Sequence, residues 1–182
     1  MLKVLGRIAG ALNDAGVLWC VGASLLLNQY GLAEHPHDID LLVALPDAEK
    51  AAALLGAMGE AVPCGESPTY STEFFRRFCI DGCDVDLMAG FRVNHPSGSY
   101  EYAFDAASVA SIREIGGVPI PFAALEDWYV VYQLIPGKEP KALRIEEYLL
   151  QHGIENPRLL EQALAGCLPE AVRQRISALL RK

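Results

Sequence analysis

The stretch EHPHDIDLLVALPD, residues 34–47, sets two acids one residue apart, Asp38 and Asp40, at the mouth of the apolar run Leu41 to Leu45. Such a run, stopped by Pro46, reads as a buried strand over 38–45. On a strand, residues i and i+2 share a face with Cα atoms ~6.5–7 Å apart, so Asp38 and Asp40 are neighbours and Ile39 points the other way. Two bare carboxylates that close repel each other and stay ionised only beside positive charge. A hard divalent cation with oxygen ligands answers this need. Mg²⁺ held by a couple of carboxylates plus substrate phosphates is its commonest setting.

A third acid fits the same scheme. Asp81-Gly82 is a two-residue hairpin signal, with arms near 73–80 and 83–89. In the second arm Asp84 and Asp86 share one face, and Val85 and Leu87 the other. Asp86 sits inside VDLM, where an acid is expensive without a partner or a task. If this arm lies beside strand 38–45, Asp86 joins Asp38 and Asp40. Three carboxylates on adjacent strands can hold two metal ions, which clamp the attacking and leaving oxygens of a phosphoryl or nucleotidyl displacement. Upstream, CVGASLLLNQYG (20–31) places Gly22 between an apolar strand (17–22) and a helix (23–31). Backbone N–H groups there can face a phosphate, and Ser24 adds a hydroxyl.

The remaining pattern gives the fold class. Helices are expected over 1–15, after Pro46 with Asp47 as cap, over FAALEDWYVVYQLI, over KALRIEEYLLQH, after Asn156-Pro157, and near 169–181. Residues 63–72 and RVNHPSGSYEY read as polar loops, and VPIP as a short edge strand because proline is poor inside a sheet. The expectation is an α/β (α+β) fold: a short mixed sheet in a core over 1–119, flanked by helices, then a C-terminal helical region over 120–182.

Composition narrows the setting. The 182 residues carry a net charge of −8. Residues 1–119 hold 7 basic and 15 acidic side chains, and residues 120–182 hold 8 of each. The acid-rich half argues against a broad nucleic-acid surface, though not against a local basic groove. Five scattered cysteines without a C-x-x-C suit free thiols in a reducing cytoplasm. No apolar run approaches the ~20 residues of a membrane span, and Asp14 breaks a signal-peptide pattern.

Gly22-Ala23-Ser24, HDIDLLV and VDLM together resemble the nucleotidyltransferase superfamily with the DNA polymerase β-like fold. The likeness is to small bacterial members: minimal, antibiotic (lincosamide and aminoglycoside) and abortive-infection-toxin-like nucleotidyltransferases. It spans about residues 15–90 and extends weakly through PIPFAALEDWYVVYQL. The resemblance implies that Asp38 and Asp40 bind metal as part of a two-ion Mg²⁺ site, and that Asp86 completes it and helps deprotonate the attacking hydroxyl. It implies that Gly22, Ala23 and Ser24 hold the triphosphate of a nucleoside triphosphate whose monophosphate passes to a hydroxyl acceptor: a small molecule, a protein or an RNA end. The sequence departs from the pattern at Ala23, and at Glu34, Pro36, Gln133 and Ala142, where relatives carry Arg, Ser or Thr, Lys and Asp. These departures keep a second class open: a catalytically silent domain of this fold that binds a nucleotide or a partner protein, a second copy in a homodimer included.

Other residues have plainer readings. Asp84 suits solvent and Asp81 a turn; His37 and His95 suit loops. Alternation puts only one of Arg76 and Arg77 on the acid face. Lys138 and Lys141 fit a solvated face, and Trp128, Tyr129 and Tyr132 fit a core better than a base-stacking platform.

Overall fold

The strand expected from DIDLLV forms as β2 (Asp38–Val43), the central strand of a seven-stranded sheet. The computed structural model describes residues 1–33 and 35–182; Glu34 lies outside the described residues. Before β2 come α1 (Leu2–Asp14), β1 (Trp19–Val21) and α2 (Ala23–Gln29). After it come α3 (Ala48–Gly56), β3 (Glu60–Val62), β4 (Phe74–Ile80) and β5 (Cys83–Ala89). A small hairpin, β6 (Arg92–His95) and β7 (Gly98–Glu101), forms its own two-stranded sheet. Then follow β8 (Val109–Ile115), β9 (Val118–Ala123) and the helices α4 (Leu125–Leu134), α5 (Glu139–His152), α6 (Pro157–Ala165) and α7 (Glu170–Leu179).

The sheet order is β3-β4-β5-β2-β1-β9-β8. β2 runs antiparallel to β1 and parallel to β5, and β5 pairs antiparallel with β4. Alternation sorts the faces. Ile39, Leu41, Val85 and Leu87 share one face and are fully buried. Burying each such side chain is worth roughly 1.5–3 kcal/mol. A one-residue slip of β2 would put Asp38 and Asp40 in their place, so the apolar set fixes the register. Helices α1 and α3 pack on the sheet and on each other, with Leu5, Ile8, Leu12, Ala51 and Leu55 buried. The acids are left on the opposite face.

Several expectations need correction. VPIP is no edge strand: β9 lies between β1 and β8. Pro119 and Pro121 have the same parity, so their missing donors fall on one side, and β1 meets β9 only beyond them, at Phe122. The stretch RVNHPSGSYEY forms the β6–β7 hairpin rather than a loop. Asp47 does not cap α3 with its side chain; Oδ2 accepts the Leu18 N–H at 3.0 Å. Asn156 precedes Pro157 as expected, but its side chain donates to Glu126 instead of capping α6.

Candidate functional site

The parallel pairing of β2 with β5 places Asp38 beside Asp84 and Asp40 beside Asp86. Adjacent strands stand ~4.8 Å apart, so Asp38, Asp40 and Asp86 share one patch of the sheet. Asp84 shares the parity but is exposed. Asp38 and Asp40 are half-buried, and Asp86 is 8% exposed. The patch is part of the floor of a cleft of about 570 Å³, roofed by the 63–72 segment and walled by α4 and the start of α5.

The charges on this floor are not balanced among themselves. Burial pushes the Asp40 carboxyl up to about 7, and the neighbouring Asp38 and Asp86 push in the same direction. Lys141 and Arg77 oppose the shift. Asp86 has a specific counter-charge: Arg77 Nε donates to Oδ1 and Nη2 to Oδ2, each at 2.6 Å. That bidentate contact raises the already basic guanidinium further. Arg77 was only half legible in the sequence. A two-residue turn at Asp81-Gly82, both with positive φ, makes paired positions sum to a constant, and Arg77 then faces Asp86.

The first motif is built differently from expectation. Gly22 spends its N–H on the Asp40 carbonyl at 3.0 Å, so that group is not free for a phosphate. Its lack of a side chain serves packing: a Cβ there would stand 2.2 Å from the Trp128 ring. Ala23 sits at φ 46°, a left-handed conformation that costs a non-glycine residue of order 1 kcal/mol. Ser24 Oγ donates to Asp38 Oδ1 at 3.2 Å, tying the motif to the acids. The first-turn N–H groups of α2, like those of any helix, have no intrahelical partner, and no side chain caps them here.

Residues 120–182 contribute more than their sequence suggested. Trp128 and Tyr132 are buried and also line the cleft, whereas Tyr129 lies in the core. Phe91 stacks on Trp128 at 6.4 Å, and Trp128 meets Tyr132 at 5.2 Å. Among the described residues, Trp128 Nε1 and Tyr132 Oη are buried without a hydrogen-bond partner. Burial pushes the Tyr132 hydroxyl up, and Asp40 and Asp38 add to the shift, which places it within electrostatic reach of the acids. Lys138 and Lys141 line the cleft rather than a purely solvated face. Lys141 Nζ stands 5.2 Å from the Tyr132 ring centre, and burial lowers its pKa. Gln133 is turned away, donating to the Tyr129 carbonyl of its own helix, and Ala142 is buried.

The donor set fits a hard cation: three carboxylates in register, with no sulfur among them. Their side chains do not yet converge. Among the described residues no three His, Cys, Asp or Glu side chains form a group able to hold a metal ion. The pairing of Asp86 with Arg77 accounts for one member of the set.

No protein-family model matches the sequence, and no curated protein does. Solved structures do match. A Thermotoga maritima protein described as a candidate nucleotidyltransferase is 25% identical, with a TM-score of 0.62 over 83% of this chain and 93% of its own. ANT(2″)-Ia in complex with adenylyl-2″-tobramycin is 12% identical, with a TM-score of 0.58 over 97% of each chain. The lincosamide antibiotic adenylyltransferase LnuA, with lincomycin bound, is 13% identical, with a TM-score of 0.52 over 79% of this chain and 95% of its own. Among the described residues, no helix is long and apolar enough to cross a membrane.

Proposed function

We propose that this chain, whose fold is that of the nucleotidyltransferases, transferases of phosphorus-containing groups, moves a nucleoside monophosphate from a nucleoside triphosphate to a hydroxyl acceptor with Mg²⁺. The observation that carries the proposal is the alignment of Asp38, Asp40 and Asp86 on one sheet face at the floor of the large cleft. In this reading residues 1–119 supply the catalytic floor and residues 120–182 the facing wall.

Asp38, Asp40 and Asp86 would hold two Mg²⁺ ions. Bound there, the ions would lower the acceptor hydroxyl's pKa and steady the leaving pyrophosphate. Asp86 would take the proton of the attacking hydroxyl once Arg77 releases one of its oxygens. Ser24, with the backbone at Ala23, meets the triphosphate, and Ser24 also orients Asp38 through its hydrogen bond. Lys138 and Lys141 offer positive charge from the opposite wall. They stand in for a lysine at position 133, where Gln133 faces its own helix. The unpartnered Tyr132 hydroxyl and the Phe91–Trp128–Tyr132 aromatic wall give the acceptor or base a surface to pack on. Positioning and charge neutralisation do most of the catalysis.

Gln133 turned from the cleft, and Arg77 on Asp86, favour a second reading: a silent domain of this fold that acts through a partner. One experiment separates the two. ATP, CTP, GTP and UTP are titrated calorimetrically into the protein with Mg²⁺, and again into Asp38→Asn/Asp40→Asn. The enzyme reading expects one nucleotide to bind only with Mg²⁺ and to lose binding in the variant. Failure of all four to bind would leave the silent reading.

A further inference from the structure

Both oxygens of the third acid are already engaged. Arg77 grips Asp86 through Nε and Nη2, each at 2.6 Å. The two residues are direct partners in the β4–β5 register, so strand pairing itself holds them together. Asp86 is 8% exposed, while the Arg77 side chain keeps 42% of its surface and lines the cleft. A carboxylate buried to that degree without a counter-charge is costly. A guanidinium fork fills the face of a carboxylate bidentately, the face a cation would also use. Neighbouring Arg76 takes no part: it has the opposite parity and lies over the Phe74 ring at 4.7 Å.

We propose that Arg77 is an internal counter-ion for Asp86 that a divalent cation must displace from at least one carboxylate oxygen to bind Asp38, Asp40 and Asp86 together. The proposal rests on the metal-site reading above. Arg77 is thus a positioning residue. It keeps the third acid buried and oriented in the metal-free protein and sets how tightly the metal binds. Its exposed flank lets the guanidinium turn into the cleft without repacking the core. Asp38 and Asp40 form only part of a site until Asp86 is released, so the metal-free chain binds divalent cations weakly.

The test is titration of Mn²⁺ alone, with free Mn²⁺ read by electron paramagnetic resonance, into the full-length wild type and the variants Arg77→Met, Arg77→Lys and Arg76→Met. A charge-assisted bidentate contact is worth enough that its removal shifts affinity about tenfold. Arg77→Met is expected to bind Mn²⁺ about tenfold more tightly than wild type. Arg77→Lys, a single point donor, is expected to fall between the two. Arg76→Met removes the same charge from the other face and is expected to change little. Equal Mn²⁺ affinity in wild type and Arg77→Met would overturn the proposal while leaving the metal site standing. So would weaker binding in Arg77→Met, or equal tightening in Arg76→Met. Absence of Mn²⁺ binding in every variant would overturn the proposal and the metal-site reading together. Should Arg77→Met fail to fold, as read by circular dichroism, Arg77→Lys carries the same comparison with a smaller expected gain.

Discussion

Replacing Asp40 by Asn is expected to stabilise the metal-free protein, and to do so increasingly as pH rises from about 4 to 7. Burial, with Asp38 and Asp86 alongside, raises this carboxyl from 3.8 to about 7. The folded chain therefore holds the Asp40 proton more tightly than the unfolded chain. The penalty from Asp40 is absent below about pH 4, grows as pH rises toward 7, and is complete above it. At about 1.4 kcal/mol per unit of pH, the ionised form is disfavoured by at most about 4 kcal/mol. Water reaching a half-buried carboxyl and screening its neighbours reduces this to about 2 kcal/mol. For a chain of this size that is about 4–8 °C in Tm. Thermal unfolding of wild type and Asp40→Asn in EDTA is compared at pH 5 and pH 8. The variant should gain most of the 2 kcal/mol at pH 8 and about a third of it at pH 5. Adding Mg²⁺ at pH 8 should raise the Tm of wild type and not of the variant, because a ligand that binds only the folded state stabilises it. A variant no more stable than wild type at pH 8, or equally stabilised at both pH values, would refute the claim that crowded carboxylates strain this floor.

Gly22→Ala places a Cβ 2.2 Å from the Trp128 ring; overpacking of this kind is expected to cost about 1–3 kcal/mol in urea unfolding. Tyr102→Phe removes the hydroxyl that donates to the buried Asp127 at 3.0 Å. Burial raises Asp127 to about 7 and this hydrogen bond opposes the rise, so the loss should be about 1–3 kcal/mol at pH 8 and smaller at pH 5, where the carboxyl is protonated. Lys141→Met should weaken binding of the preferred nucleoside triphosphate about tenfold in calorimetry while moving Tm little, since the lysine meets the cleft and not the core.

The parts of the fold that were legible in the sequence rest on local physics. Asp81-Gly82 forms the expected turn because both residues take positive φ, 48° and 74°. Alternation in DIDLLV and VDLM put acids on one face and Ile39, Leu41, Val85 and Leu87 on the other, and the structure keeps that division. What the sequence could not supply was the pairing of β2 with β5. It spans 46 positions and depends on α3, β3 and β4 folding between the two strands. The β6–β7 hairpin was hidden because few of its side chains point inward: Val93 and Tyr100 are buried among polar neighbours. β8 was hidden for a similar reason. It is an edge strand whose Ile112 is 66% exposed, so burial imposes no alternation on it.

Gly22 has a structural task that its place in the sequence does not reveal. A glycine between a strand and a helix suggests a backbone turned toward phosphate. Here its N–H closes on Asp40 and its missing side chain admits Trp128, more than a hundred positions downstream. The first motif is thus the point where the acid-bearing floor of the cleft touches α4. The same helix carries Tyr132, whose hydroxyl lies within electrostatic reach of Asp38 and Asp40 without a hydrogen-bond partner. A side chain at position 22 would push Trp128 outward, and with it the aromatic wall that faces the acids. Glycine at this position is therefore required by the spacing between floor and wall. That spacing sets the width of the cleft beside the three carboxylates.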